Sequence, residues 1–159
     1  MAELRTLIVV LGDQLDLQSA AFDGFDKRLD AVWMAEAAEE STHVASSKPR
    51  TVMFLAAMRH FGKELQALGR QLHYTSLDAP GNCGSLAAQL LLDVARLRPT
   101  RLVMTAPGDW RVLQAIQEAA RSCNLMLEIR EDRHFLCSIE EFAAHAKGRK
   151  SLRMEYFCR

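Results

Sequence analysis

The feature that most constrains this fold is a regular alternation between short apolar segments and longer segments with helical periodicity. Residues 4–11 form a β-branched and leucine-rich run that ends at Gly12, as expected of a central parallel strand buried on both faces. Further strands are predicted at 31–34, 72–75, 101–105 and 125–129, with helices at 52–68, 86–97, 110–120 and 140–146. This alternation predicts an α/β fold with a doubly wound, five-stranded parallel sheet and helices on both faces.

The helix after Pro49 is marked by its ends as well as by its apolar spacing. Proline suits the first turn of a helix, and Gly69 suits the position just past the end, where a left-handed backbone is common. Between them, apolar residues recur at three- and four-residue steps, which predicts one stripe facing the sheet: Val52, Leu55, Met58, Phe61, Leu65 and Leu68.

Two loops with polar side chains follow predicted strands at their carboxyl ends. The segment Gly12-Asp13-Gln14 follows the first strand, and the segment Ala106-Pro107-Gly108-Asp109-Trp110 follows the fourth. In doubly wound sheets, ligands bind beyond the carboxyl ends of the strands, where the strand order reverses. We therefore expect both loops to face the same ligand-binding crevice.

Asp13 has two interpretations from the sequence alone. The loop lacks the later glycines of a Gly-x-Gly-x-x-Gly dinucleotide loop and the Gly-Lys-Ser/Thr of a phosphate loop, which disfavours NAD and ATP sites of those types. Aspartate is favoured at helix N-caps, so Asp13 is either the cap of a following helix or, from its place at a strand end, a ligand contact.

The acidic residues after the second strand, Glu36, Glu39 and Glu40, also have two interpretations. Carboxylates so close in sequence are typical of a solvated loop or helix face. Alternatively, a carboxylate accepts hydrogen bonds from the donors of a polar heteroaromatic ligand held in an apolar slot. Apolar side chains that belong either to the core or to the walls of such a slot are Trp33, Met34, Phe54 and Met58.

Composition limits the classes of function. A chain of 159 residues fits one domain with a real core, and its 20 basic and 20 acidic residues cancel, so we expect no DNA binding by this chain alone. The longest apolar run, 7–11, is far shorter than a bilayer span, which predicts a soluble cytoplasmic protein without membrane contact. Scattered cysteines, and the lack of zinc-type histidine pairs or a Gly-x-Ser-x-Gly elbow, leave no metal and no catalytic residue predicted.

Several motifs together resemble one family. They include Leu11-Gly12-Asp13-Gln14-Leu15, Ala57-Met58-Arg59-His60-Phe61, Pro107-Gly108-Asp109-Trp110-Arg111 and Met154-Glu155-Tyr156-Phe157. The chain resembles, over essentially its whole length, the photolyase-related group of bacterial cryptochromes and photolyases that carry an iron–sulfur cluster. The resemblance implies that residues 1–146 form a Rossmann-like antenna domain. It also implies that 147–159 begin the connection to a helical FAD-binding domain absent from this chain.

The resemblance also implies a ligand and partners. The family's antenna pigment is 6,7-dimethyl-8-ribityllumazine, and its pocket would involve Gly12, Asp13, Gln14, Glu40 and Phe54 here. FAD, the cluster and contact with damaged DNA would belong to the full-length parent, which repairs DNA photoproducts or senses blue light. We expect this chain alone to be inactive as a lyase and to self-associate through its exposed docking face. The alternatives are a docking domain with an empty pocket and an independent nucleotide-binding α/β protein.

Overall fold

The five strands of the protein form one parallel sheet in a computed structural model that describes residues 4–42, 47–135 and 137–153. Cys158, one of the scattered cysteines, and the motif at 154–157 lie outside the described residues. The strands are β1 (Thr6–Val9), β2 (Asp30–Ala35), β3 (Gln71–Thr75), β4 (Arg101–Thr105) and β5 (Met126–Arg130). The helices are α1 (Ala38–Thr42), α2 (Lys48–Ala67), α3 (Leu86–Leu97), α4 (Trp110–Ser122) and α5 (Ile139–Ala146), with a 3₁₀ helix at Ala20–Phe22.

The strand order is β3-β2-β1-β4-β5, and every neighbouring pair is parallel. The chain therefore builds the sheet outward from β1 through β2 to β3, then returns to add β4 and β5 on the other side. This confirms the predicted doubly wound α/β fold, which is Rossmann-like. The strand order reverses between β1 and β4, the place where such folds bind ligands.

The two faces of the sheet carry separate apolar clusters, because successive strand residues point to opposite sides. Leu7 and Val9 of β1 pack with Leu90 of α3 on one face. Ile8, which lies between them, packs on the other face with Phe61 of α2. A parallel strand buried on both faces favours apolar residues at successive positions, which explains the apolar run Leu7 to Val9 that follows the buried Thr6 in β1.

The apolar stripe predicted for α2 is buried in its middle and exposed at both ends. Met58, Phe61 and Leu65 are buried as expected, whereas Val52 is 66% exposed and Leu68 is 45% exposed. The prediction of one continuous buried stripe was therefore wrong at both ends. Gly69 follows the helix with a φ of +70°, which confirms its predicted position just past the end.

The segment after β1 contains no α-helix before β2. Its regular element is the three-residue 3₁₀ helix, which is capped by Ser19 through a hydrogen bond from the Ala21 backbone N–H. The interpretation of Asp13 as a helix cap is therefore wrong. Across the described ranges, no helix has the length and apolar character required to span a membrane.

Candidate functional site

A cavity of about 380 Å³ opens at the carboxyl ends of β1, β2 and β4. Segments that follow these three strands contribute to its lining, together with the first turns of α2. The cavity therefore lies at the reversal of strand order, and the loops after β1 and β4 both face it, as expected from the sequence.

The loop after β1 approaches α2 so closely that any side chain at position 12 would force side chains of α2 to move. A Cβ atom on Gly12 would lie 2.6 Å from Cζ and 2.7 Å from Cε1 of Phe54, and 2.8 Å from Sδ of Met58. Gly12 does not have a positive φ, so the close approach rather than the backbone conformation calls for glycine. The Phe54 ring thus rests directly on the Gly12 backbone and forms part of the cavity wall.

Three helices contribute the larger apolar side chains near the first turns of α2, α3 and α4, and Leu11, Ala35, Ala37 and Pro107 add apolar groups from the strand ends and loops. Phe54, Leu55 and Met58 belong to α2, Leu86 is the first residue of α3, and Val112 lies in the first turn of α4. Aromatic and aliphatic walls of this kind suit a planar, largely apolar ligand body.

The polar part of the lining is mostly acidic. Asp13, Glu40 and Asp109 contribute carboxylates, and Arg50 contributes a guanidinium group from the first turn of α2. Removal from water raises the pKa of Glu40, and the negative charges of Asp109, Glu39 and Asp13 add to that rise against the opposing effect of Arg111. Glu40 is thus a carboxylate whose charge is disfavoured by its surroundings.

Asp109 already has a structural task at the start of α4. Its side chain caps the helix by accepting a 2.8 Å hydrogen bond from the Arg111 backbone N–H, and the Arg111 guanidinium lies 2.6 Å away. The hydrogen bonds from Arg111 lower the pKa of the Asp109 carboxyl. Asp109 therefore faces the cavity as an ionised but already paired group.

Glu36 is buried and its carboxylate is fully used within the protein. Arg59 donates to both oxygens at 2.7 and 2.8 Å, the Tyr74 hydroxyl donates to Oε1 at 2.6 Å, and the Leu77 N–H donates to Oε2 at 2.7 Å. Burial acts to raise the pKa of Glu36, but these hydrogen bonds outweigh it and lower the pKa. Glu36 thus joins the end of β2 to α2 and to the segment after β3.

Comparison with known proteins identifies the family. Residues 8–159 match the family described as deoxyribodipyrimidine photo-lyase-related protein. The chain belongs to this family. It is also 40% identical over 156 residues to the (6-4) photolyase of Agrobacterium fabrum (strain C58 / ATCC 33970). That match covers 98% of this chain and 31% of the photolyase, so the chain spans about a third of the length of this relative.

In this photolyase-related chain, the cavity brings together six of the residues predicted from the sequence: Gly12, Asp13, Glu36, Glu40, Phe54 and Pro107. Gln14, Met34, Gly108 and Trp110 are not among its lining residues.

Gly108 lies in the loop after β4 between the lining residues Pro107 and Asp109, and the other three residues have places elsewhere in the structure. Gln14 donates from Nε2 to the Ala106 carbonyl oxygen at 2.8 Å and so ties the loop after β1 to the loop after β4. Met34 is fully buried in the core on the α2 face of the sheet, and Trp110 is 69% exposed at the start of α4. Trp33 is likewise core, with its indole N–H donating to Asp93 at 2.9 Å.

Sequence reasoning missed lining residues on three helices: Arg50, Thr51, Leu55, Leu86 and Val112. Asp109, in the loop expected to face the crevice, also lines the cavity although it was not predicted individually. Aspartate just before a helical segment predicts an N-cap, and that signal could have identified it. Leu55 of α2 carried a misleading signal, because its apolar spacing assigned it to the core.

Proposed function

We propose that this chain is the amino-terminal light-harvesting-chromophore domain of a photolyase- or cryptochrome-related protein. In this proposal the cavity binds 6,7-dimethyl-8-ribityllumazine. The observation that carries the proposal is the cavity at the reversal of strand order, whose lining combines apolar side chains from three helices with several ionisable groups.

The cavity lining suits the chemistry of this pigment. Its volume of about 380 Å³ falls in the range of small-molecule sites. Phe54, Met58 and Val112 would enclose the planar ring, Arg50 would donate to its carbonyl oxygens, and Asp13 and Glu40 would accept from the hydroxyl groups of the ribityl chain. When bound, the pigment supplies absorption of near-ultraviolet or blue light and transfer of the excitation energy to a flavin.

The activity of the parent protein is part of the same proposal. The related Agrobacterium protein is named a (6-4) photolyase, and this chain corresponds to 31% of its length. We propose that a helical domain outside this chain holds FAD and the iron–sulfur cluster and carries out DNA photoproduct repair or blue-light sensing. This chain alone would then have no lyase activity and would contact damaged DNA only as part of the parent.

Exposed apolar side chains beside the cavity support a docking role as well. Val52 is 66% and Met53 is 69% exposed on α2, next to the lining residues Thr51 and Phe54, and Trp110 is 69% exposed after Asp109. We propose that these side chains meet the helical domain. A docking domain with no pigment is the second candidate function, and these same residues favour it.

A spectroscopic titration of the purified chain with the pigment separates the two functions. We expect saturable binding, and we expect Glu40→Ala to weaken it because a partly desolvated carboxylate no longer accepts a hydrogen bond from the ligand. Loss of such a bond amounts to roughly 1.5–3 kcal/mol, or about tenfold to over a hundredfold in affinity. Glu118→Ala, on the exposed surface of α4, is the matched control. Absence of pigment binding by the wild type would leave the docking role alone.

A further inference from the structure

The charges along the cavity are not balanced. Four of its lining residues are acidic and one, Arg50, is basic. Two of the acids are neutralised by arginines within the protein: Glu36 by Arg59 at 2.7 Å and Asp109 by Arg111 at 2.6 Å. The acids that remain are Asp13 and Glu40, which we call the acidic wall.

Within the described part of the chain, the acidic wall differs from Glu36 and Asp109 because its carboxylates are not hydrogen-bonded to an arginine. Among the residues that the structure describes, neither carboxylate of the acidic wall accepts a hydrogen bond or forms an ion pair within 4 Å. Burial raises the pKa of Glu40, and the negative charges of Asp109 and Asp13 add to that rise while the positive charge of Arg111 opposes it. An additional negative charge in the cavity would meet the same repulsion.

Features that hold phosphate groups in related folds are replaced here. Dinucleotide-binding sheets place a pyrophosphate at the N-terminus of the helix that follows β1, but here a three-residue 3₁₀ helix capped by Ser19 is the element in that connection. The N-terminus of α4 also faces the cavity, and the Asp109 carboxylate already occupies the position an anion would take. Pro49 lacks an N–H group in the first turn of α2.

We propose that the acidic wall makes this cavity selective for unphosphorylated, polyol-bearing heteroaromatic ligands and against their phosphate esters. This inference rests on the proposed function, since it specifies which members of the ligand class the pigment cavity accepts. Hydroxyl groups donate hydrogen bonds to carboxylates, whereas a phosphate dianion presents acceptors and charge of the same sign. The acidic wall therefore attracts the former and repels the latter.

The experiment compares 6,7-dimethyl-8-ribityllumazine with its 5′-phosphate ester, and adenosine with AMP, as ligands of the purified chain. We expect the phosphate ester of the pigment to bind at least about tenfold more weakly than the pigment, because close like charges are strongly unfavourable in a partly desolvated site. Neutral variants Asp13→Asn and Glu40→Gln, singly and together, test the cause. Each variant should bind the pigment more weakly and its phosphate ester more tightly than the wild type does. These opposite changes in affinity distinguish charge selection from general damage to the cavity.

The control variant is Glu118→Gln, which removes a carboxylate from the exposed surface of α4. It should leave the affinity for the pigment and for its phosphate ester unchanged. Equal binding of the pigment and its ester would overturn the selectivity while the proposed function stands. Binding of AMP in preference to the pigment, lost in Arg50→Gln, would overturn both and would place a phosphate beside Arg50 instead. Failure of all four ligands to bind would overturn the pigment site and the selectivity with it.

Discussion

Replacing Gly12 by alanine tests the closest contact of the proposed pigment cavity. The added methyl group would lie 2.6 Å from Cζ of Phe54 and 2.8 Å from Sδ of Met58, so both side chains must move. The Phe54 ring is 41% exposed and borders the cavity, which leaves it room to move in that direction. We therefore expect Gly12→Ala to push the ring into the space that a ligand would occupy.

Two opposing effects set the expected change in stability. Overfilling a packed contact costs typically about 1–3 kcal/mol, whereas replacing glycine by alanine at a compatible backbone position stabilises by about 0.4–1 kcal/mol through the unfolded chain. The free energy of unfolding should therefore fall by roughly 0.5–2 kcal/mol, or about 1–8 °C in Tm for a domain of this size. Pigment affinity should also fall, because the displaced ring reduces the cavity.

Gly108→Ala is the matched control, since it lies in the loop after β4, lacks a positive φ, and has no heavy atom within 4 Å of an added Cβ. By the same reasoning, thermal melting should show a small rise in Tm for Gly108→Ala and a fall for Gly12→Ala. Phe54→Val serves as the rescue variant. In a protein that carries Phe54→Val, the further change Gly12→Ala should lower Tm much less than it does in the wild type. If Gly12→Ala lowers Tm equally with Phe54 and with Val at position 54, the ring is not the obstacle and the reasoning is wrong.

Two further predictions concern acid stability and self-association. The pKa of Glu36 is lower in the folded state than its ordinary 4.5, so its contribution to stability is present above that pH and is lost as pH falls through the folded pKa. Tm measured against pH should show a decline below about pH 4.5 that is shallower in Glu36→Gln, and an equally steep decline would contradict this. The exposed side chain of Met53 should promote self-association, so Met53→Ser should shift sedimentation at high concentration toward the monomer. A wild type that stays monomeric under those conditions would count against the docking face.

Much of the sheet could be predicted because local sequence and tertiary structure agree there. The predicted segments at 86–97 and 101–105 coincide with α3 and β4, and each of the other predicted strands overlaps an observed one. Buried parallel strands are continuous apolar runs, so their sequences carry little ambiguity. The short helix α1 was not predicted as a helix, because its five residues are too few to show a period.

The cavity lining was harder to predict, since apolar residues that line a cavity have the same sequence pattern as core residues. Met34 and Phe54 were weighed alike as slot walls, but Met34 is fully buried and Phe54 lines the cavity. Carboxylates presented the same difficulty. Glu36 and Glu40 lie only four residues apart in an acidic segment, but Glu36 is hydrogen-bonded within the protein whereas Glu40 lines the cavity. Arg59 and Tyr74 come close to Glu36 only after β3 and α2 pack together, which the local sequence does not encode.

Helix α2 connects the folding of the domain to the proposed pigment site. Its later turns place Phe61 and Leu65 in the core, its first turns line the cavity, and Met58 does both. The Arg59 to Glu36 ion pair fixes the helix to β2 directly after Met58. A ligand held against the first turns would stabilise the folded state by mass action, since it binds only where those turns are in place. Packing variants in the later turns should therefore lower stability whether or not ligand is present, whereas changes to the first turns should act mainly on the stabilisation that the ligand provides.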